Sequence, residues 1–464
     1  MRVFNRYFSA YDVILLIGDL IVTFLTTAGI QTVVLLANIS SAPEWAGSSL
    51  HGMAVTVIVI VSFYYCDLYA IDQTLSLREL LLRLMSGIGS ACVMIGLVSY
   101  PIPQFGKTVY ASEIILLSLG LCGWRVGFMR VIEKARVHAK VLLIGVHSIG
   151  KLVTEELHKH KKLGMEVVGF VGDGPGQLTM SYGNPVRISL PVFQPSSLLT
   201  LVEEKRVGRI LLSGVESTNE SLARDLVFLR ARGIPIEDCH SFYERLVSKI
   251  AITDLSPYWL MRTKGFRRDR LVTFTKRVID MIASAAGLLL SAPILAVTAA
   301  AIKLDTPGPL LYLQQRVGQN EKRFTIYKFR SMSENAEANG PVWAARNDPR
   351  VTRVGRWIRK LRIDEIPQMV NVLKGDMSFV GPRPERPFFV ETLNNQIPYY
   401  SLRHSVKPGI TGWAQICCPY GDSEEGAIEK LQYDLYYIKH MSMLFDLQII
   451  FESLKVILLG RGAR

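Results

Sequence analysis

Long apolar runs set the terms on which this chain can fold. Four lie near the N-terminus, at about residues 12–36, 52–68, 83–100 and 108–127, and a fifth runs from Met281 to Ile302. Runs of about 17–25 residues match the ~30 Å of hydrocarbon in a bilayer, where a helix satisfies its own backbone. The first run is long and has no small-residue cleavage site, so it reads as a span and not as a removed signal. Arg2 and Arg6 precede it, and the next loop, from about Ala37 to Gly52, has no Lys or Arg. Arg78 and Arg83 lie between the second and third spans, and only Lys107 between the third and fourth. Arg125, Arg130, Lys134, Arg136 and Lys140 close the series. The positive-inside rule then places both ends of this group, and the chain beyond it, in the cytosol. Asp12 and Asp19 fall in or beside the first span, and the expectation is an interfacial Asp12 and an Asp19 paired between helices.

From Ala139 to about Ile252 the pattern changes to alternating strands and helices. Val141–Ile144, Val167–Val171, Arg209–Leu212 and Ile234–Ile236 read as strands, and Ile149–His160 and Glu220–Arg232 as helices. Such alternation predicts a parallel, Rossmann-like sheet. Its first turn, Gly145-Val-His-Ser-Ile-Gly150, has His147 where a dinucleotide fingerprint needs a glycine, so a structural or regulatory module is expected. The six cysteines show no metal spacing and no disulfide framework, which fits a reduced compartment.

A basic connector comes next, with Lys264, Arg267, Arg268, Arg270, Lys276 and Arg277, and reads as a membrane-surface segment. Pro293 stands in the middle of the fifth apolar run, where it removes a helix hydrogen bond. A straight crossing would carry the rest of the chain outside. A re-entrant helix, entering and leaving by the cytosolic leaflet, would keep it inside and is the preferred expectation. The end of the chain, Leu435 to Leu459, suits an amphipathic helix on the membrane or against the preceding residues. The formal charge of +13 points to anionic lipids or substrates, and nothing marks a nucleic-acid reader.

The chemistry concentrates in Arg359-Lys-Leu-Arg-Ile-Asp-Glu-Ile-Pro-Gln368. Asp364 and Glu365 precede Pro367, and a helical pattern runs on to Gly375, so both acids fall in a helix's first turn. The dipole there favours an ionised Asp364 and can also receive a phosphate. An ionised carboxylate can attack phosphorus, or it can hold Mg2+ against phosphate oxygens. Arg353, Arg356, Arg359, Lys360 and Arg362 lie just upstream, Lys328 and Arg330 in Tyr327–Met332, and Arg383 between two prolines. Arginine suits bidentate phosphate binding, and some of these cations suit anionic lipid equally well.

Residues 264–464 resemble the bacterial sugar transferases, monotopic polyprenyl-phosphate phosphoglycosyl transferases that start polysaccharide assembly. The resemblance rests on Thr306-Pro-Gly-Pro309, Gln315-Arg-Val-Gly318, Lys328-Phe-Arg-Ser-Met332, Leu361–Gln368, Leu373–Pro384 and Lys407–Gln415, in that order. The N-terminal spans and Rossmann-like domain resemble, in architecture, the long exopolysaccharide members. The resemblance implies transfer of a sugar 1-phosphate from a nucleotide diphosphate sugar to undecaprenyl phosphate. It implies Asp364 as nucleophile, Glu365 assisting, and Mg2+ held by both. It implies phosphate contacts from Arg359, Arg383, Lys328 and Arg330, Pro293 as the break of a re-entrant helix, and a homodimer. The localisation implied is the bacterial inner membrane, with the catalytic part cytosolic.

The expected organisation is a membrane α/β protein. It comprises a transmembrane four-helix bundle (1–138), a Rossmann-like cytosolic domain (139–252), a basic membrane-surface linker (253–280), a re-entrant membrane helix (281–305) and an α/β catalytic domain (306–464). Relatives often carry an Asn-Gly-Arg-like stretch after Trp-Ala-Gln, whereas this chain reads Ile416-Cys-Cys-Pro-Tyr-Gly421, which leaves the sugar open. The rival readings are a Rossmann enzyme acting on nucleotide sugars and a non-enzymatic membrane scaffold. The first requires a glycine fingerprint and a Tyr-x-x-x-Lys pair in 139–252, and neither is evident.

Overall fold

In the computed structural model the described residues are 2–3, 6–7, 10–36, 49–66, 68–69, 77–99, 107–134, 139–159, 164–172, 176–182, 186–214, 220–252, 255, 257–263, 265–266, 270–333, 348–418 and 424–458. A minimal hairpin, β1 (Arg2–Val3) and β2 (Arg6–Tyr7), precedes four apolar helices. These are α1 (Ala10–Leu36), α2 (Ser49–Tyr65), α3 (Leu77–Ser99) and α4 (Lys107–Lys134). Helix α1 packs on α4 and α2, and α2 packs on α3. Gly18 makes the first contact close, because a Cβ there would lie 1.9 Å from the Trp124 ring. Arg125 and Asp19 are both buried and pair at 2.5 Å, as expected for Asp19. Arg125 also donates to Leu68 O at 2.7 Å and lies over the Phe63 and Tyr69 rings.

Among the described residues, three helical stretches are long and apolar enough to cross a membrane: Val13–Ile30, Ala111–Val131 and Arg270–Asp305. The second and third expected spans map to the shorter stretches Gly52–Tyr65 and Leu81–Gly96.

The middle of the chain forms a six-stranded sheet of order β5-β6-β4-β3-β7-β8. The strands are β3 (Ala139–Ile144), β4 (Met165–Val171), β5 (Gly176–Tyr182), β6 (Val186–Phe193), β7 (Arg209–Leu212) and β8 (Ile236–Asp238). Strand β3 pairs parallel with β4 and β7, β6 with β4, and β8 with β7. Helices α5 (Ser148–Lys159) and α8 (Cys239–Val247) cover one face, and α6 (Leu198–Lys205) and α7 (Glu220–Ala231) the other. The run Val141–Ile144 feeds both layers. Val141 and Leu143 pack towards α5 and α8, Leu142 and Ile144 towards α6 and α7, as strand alternation requires.

Two departures from the sequence reading occur here. The last strand begins two residues later than Ile234, because Pro235 has no N–H for the ladder and supplies only its carbonyl, to Ile210. An antiparallel hairpin, β5–β6, also closes one edge. At the first turn, Gly145 adopts φ 92°, and a Cβ there would lie 2.3 Å from Ser213 O. The His147 ring packs against Gly145 and Gly214.

Helix α9 (Pro257–Arg262) leads to α10 (Arg270–Asp305), and Lys264, Arg267 and Arg268 lie outside the described residues. Pro293, the expected break, is an interior position of α10, which runs on as one helix of 36 residues. The first half of α10 is tied to the C-terminal region. Arg277 donates to the carbonyls of Val372 and Leu373, Asp280 accepts from Phe379 N, and Lys276 pairs with Asp446. Apolar side chains are exposed along its whole length, among them Leu271, Phe274, Ile282, Leu289, Leu290 and Val297.

The C-terminal region contains the antiparallel hairpin β9 (Leu311–Val317) and β10 (Arg323–Phe329), α11 (Arg353–Lys360) and α12 (Met369–Lys374). The parallel pair β11 (Ser378–Val380) and β12 (Gly409–Thr411) comes after these, with α13 (Pro387–Gln396), α14 (Trp413–Cys417), α15 (Glu424–His440) and α16 (Met443–Leu458). One core joins Val380, Val390, Tyr400, Trp413, Leu435, Tyr436, Phe445 and Ile449. Ile250, Ile252 and Leu255 enter that same core, so the tail of the sheet region belongs to it by packing. The expected amphipathic segment proves to be two helices. The end of α15 is buried, whereas α16 buries Phe445 and Ile449 and exposes Leu444, Leu447, Phe451 and Leu454.

Candidate functional site

The acids lie in a 3-10 turn, Ile363–Gln368, between α11 and α12. Arg362 takes the left-handed conformation at φ 57° and turns the chain off the end of α11. Pro367 then suits the tight turn, since it needs no N–H there. The turn packs against β10, and both acids are buried, at 8% exposure for Asp364 and 7% for Glu365.

Three cations close on Glu365. Lys328 Nζ and Arg383 Nη2 each donate to Oε1 at 2.9 Å, and Arg362 Nη1 donates to Oε2 at 3.3 Å. Each cation is placed by a different element. Lys328 stands on β10, whose backbone is held at Tyr327 N and Thr325 O by the fully buried amide of Asn371. Arg383 follows Gly381 and Pro382 off the end of β11. A Cβ on Gly381 would lie 2.4 Å from Lys407 O and one on Gly409 2.1 Å from Gly381 N, so the two strands approach this closely only through glycine. Arg383 Nη1 donates to Gln415 Oε1 at 2.8 Å, and its carbonyl accepts from buried Arg403, which pairs with buried Asp434 at 2.9 Å.

Asp364 is held differently. Its Oδ1 is buried and has no hydrogen-bond partner among the described residues. Burial and the adjacent Glu365 push its carboxyl up to about 6, against the pull of Lys328, Arg359 and Arg362. The helix dipole expected to keep it acidic is outweighed, because a turn of six residues supplies little dipole and burial removes water. Burial pushes Glu365 up as well, but Lys328, Arg383 and Arg362 hold it well below the usual carboxylate range. Burial pulls Lys328 below an ordinary lysine, while Glu365 raises Arg383. The result is one carboxylate neutralised by cations beside another with an open oxygen.

The other expected residues fall as follows. Half-buried Arg359 ends α11 near enough to act on the charge of Asp364. Arg330 is committed elsewhere: its guanidinium donates to Thr306 O, Thr306 Oγ1 and Pro307 O, fixing the turn after α10. Arg353, Arg356 and Lys360 are exposed on α11 beside Trp357, which is 68% exposed. Gln415, Asn371 and the Arg403–Asp434 pair reach the site across long sequence gaps, which no local pattern reports.

Among the described residues no three His, Cys, Asp or Glu side chains converge as a metal cage. Mg2+ commonly binds through one or two carboxylates together with substrate phosphates, and the open Oδ1 of Asp364 fits that mode. Glu365 fits it less well, since both its oxygens already accept from cations.

The bacterial sugar transferase family matches residues 271–460. The chain is 44% identical over 231 residues to the UDP-N-acetylgalactosamine-undecaprenyl-phosphate N-acetylgalactosaminephosphotransferase of Aeromonas hydrophila, covering 50% of this chain and 54% of that protein. It is 40% identical over 189 residues to the UDP-glucose:undecaprenyl-phosphate glucose-1-phosphate transferase of Caulobacter vibrioides, covering 40% of this chain and 71% of that one. The protein so named in Xanthomonas campestris pv. campestris is 27% identical over 465 residues, covering 97% of this chain and 94% of that one. The stretch matched in the Aeromonas protein is thus about half of its length.

Proposed function

Because the chain belongs to the bacterial sugar transferase family, we propose that it moves a sugar 1-phosphate from a UDP-hexose to undecaprenyl phosphate through a covalent phosphosugar on Asp364. The observation that carries this reading is the open, buried Oδ1 of Asp364 beside a Glu365 clamped by Lys328, Arg383 and Arg362. In the first step Oδ1 attacks the phosphorus that bears the sugar and forms an acyl phosphate. The bond from that phosphorus to the bridging oxygen breaks, and its electrons leave with the nucleoside monophosphate. In the second step an oxygen of the lipid phosphate attacks the same phosphorus, and the acyl bond breaks to restore the carboxylate. Soluble donor and lipid acceptor then use one site in turn.

Glu365 keeps Lys328 and Arg383 aimed at the phosphates instead of attacking, since its oxygens are occupied. Asp364, with the diphosphate, would hold Mg2+, which supplies charge neutralisation on the phosphate oxygens. The membrane placement belongs to the same proposal: the α1–α4 group spans the inner membrane, and α10 dips into its cytosolic leaflet with a bend at Pro293. The sheet region and the site then face the cytosol, and two copies pair. The apolar side chains exposed along the whole of α10, from Leu271 to Leu304, and the exposed Trp357 among cations on α11 support this placement.

The decisive assay uses radiolabelled UDP-sugars and undecaprenyl phosphate. Asp364→Asn is expected to lower lipid-linked product by about a thousandfold or more, as loss of a nucleophile does. Near-normal turnover in that variant overturns the reading. A panel of UDP-sugars identifies the hexose.

A further inference from the structure

Lys328 stands opposite Tyr312 in the β9–β10 ladder, so both side chains leave the same face of the hairpin. Along β9 that face carries Tyr312, Gln314 and Arg316, all half-buried, while Leu311 and Leu313 on the other face are exposed. This inverts the usual alternation, in which the apolar face turns inward. The inward row is linked. Gln314 Nε2 donates to the Tyr312 hydroxyl at 2.7 Å, and Arg386 Nη2 donates to it at 3.5 Å. Arg316 Nη1 donates to Pro384 O at 3.1 Å and lies 3.7 Å from the Glu385 carboxylate, while its Nε is buried and meets no acceptor among the described residues. Pro384 directly follows Arg383, so the row abuts the cation that clamps Glu365. Lys328 and Arg383 meet Glu365, Arg316 lies beside Glu385 and Arg386 reaches the Tyr312 hydroxyl, so with Asp364 counted the cations here still outnumber the carboxylates, which suits an anion. Arg386 immediately precedes α13 as its N-cap residue, and no side chain caps that N-terminus.

We propose that Tyr312, Gln314, Arg316 and Arg386 form a leaving-group subsite that grips the phosphate of the nucleoside monophosphate as it separates from the sugar phosphorus. The proposal rests on the two-step transfer above. When the phosphorus–oxygen bond breaks, the departing monoester gains a negative charge. Donors fixed around it are worth more after that gain than before. In the second step the lipid phosphate attacks in line from the side the nucleotide left, so the same donors then meet its phosphate.

The test uses the purified full-length protein and tritiated UMP, without lipid acceptor. Wild type exchanges label into the UDP-sugar. Arg386→Gln and Gln314→Leu are expected to raise the UMP concentration for half-maximal exchange by about tenfold each. Transfer of preformed phosphosugar from the same variants to undecaprenyl phosphate is expected to slow as well, and Arg386→Lys recovers part of the UMP affinity. Unchanged UMP dependence in the variants, or no recovery of UMP affinity in Arg386→Lys, overturns the subsite. If Arg386→Gln does not fold, Gln314→Leu decides on the same readouts. An absence of exchange in wild type overturns the two-step reading itself.

Discussion

Asp364 carries its charge where the surroundings disfavour it. The folded value near 6 against an ordinary 3.8 means that the native state prefers the protonated acid. This contribution to stability is full below about pH 4 and is lost as pH rises through 6, at a penalty of roughly 3 kcal/mol. An ionised Asp364 therefore costs stability. The first step should fall on the acid side with an apparent pKa near 6, measured as UMP exchange against pH. In Asp364→Asn the unfolding midpoint at pH 8 should exceed that of wild type, and the gap should close towards pH 4. At this scale the adjacent acids and Arg383 were legible, because short motifs carry them. Their electrostatic division was not. Which of the two acids meets the cations depends on β10, β11 and α14 arriving together, and Arg330 shows how a cation inside a matching motif can be drawn to a turn instead.

Elements were legible where burial is two-sided. Strand β3 reads as a short apolar run because both its faces are covered. The β5–β6 hairpin was not legible because Gly176–Tyr182 is largely polar and Pro191 interrupts β6 in a way that argues against a strand. Strand β9 was hidden by its inverted alternation, with Leu311 and Leu313 turned outward. Asn371 substitutes for a neighbouring strand along β10, so Asn371→Ala leaves Tyr327 N and Thr325 O without partners. A loss of about 1–3 kcal/mol is expected, seen as a lower unfolding midpoint, with turnover reduced through Lys328. Helix α10, at 36 residues, would be about 54 Å long if straight, well beyond one hydrocarbon thickness. Cysteines placed at Arg270 and Leu304 in a cysteine-free protein should both react with an impermeant maleimide from the cytosolic side only. Labelling of the Leu304 position from the periplasm would refute a bend at Pro293.

At the scale of the whole molecule, the regions are more entwined than composition implied. Trp413 Nε1 donates to Ser248 O, Ile250 N donates to Gln432 O, and buried Glu244 pairs with Lys439 at 2.5 Å and with His440. A boundary at residue 252 follows the change in periodicity, but packing carries the tail of the sheet region into the C-terminal core. Glu244 is pushed up by burial, yet His440 and Lys439 hold it below the usual range. Its stabilisation is thus full above about pH 4.5 and fades as pH falls through the folded value. Glu244→Ala strands Lys439 in a dry contact and should cost about 3–5 kcal/mol, read as a lower unfolding midpoint at pH 8 and a smaller drop at pH 4. Tyr64 at the end of α2 donates to Glu452 at 2.7 Å, and Lys455 donates to Tyr64 O, so α16 also reaches the N-terminal helices. The Asp19–Arg125 pair extends such dependence into the order of biosynthesis. The guanidinium leaves the ribosome 106 residues after the acid it neutralises. Until then the first helix has no counter-ion and cannot settle. Nascent chains halted before α4 should therefore be cleared by quality-control proteases.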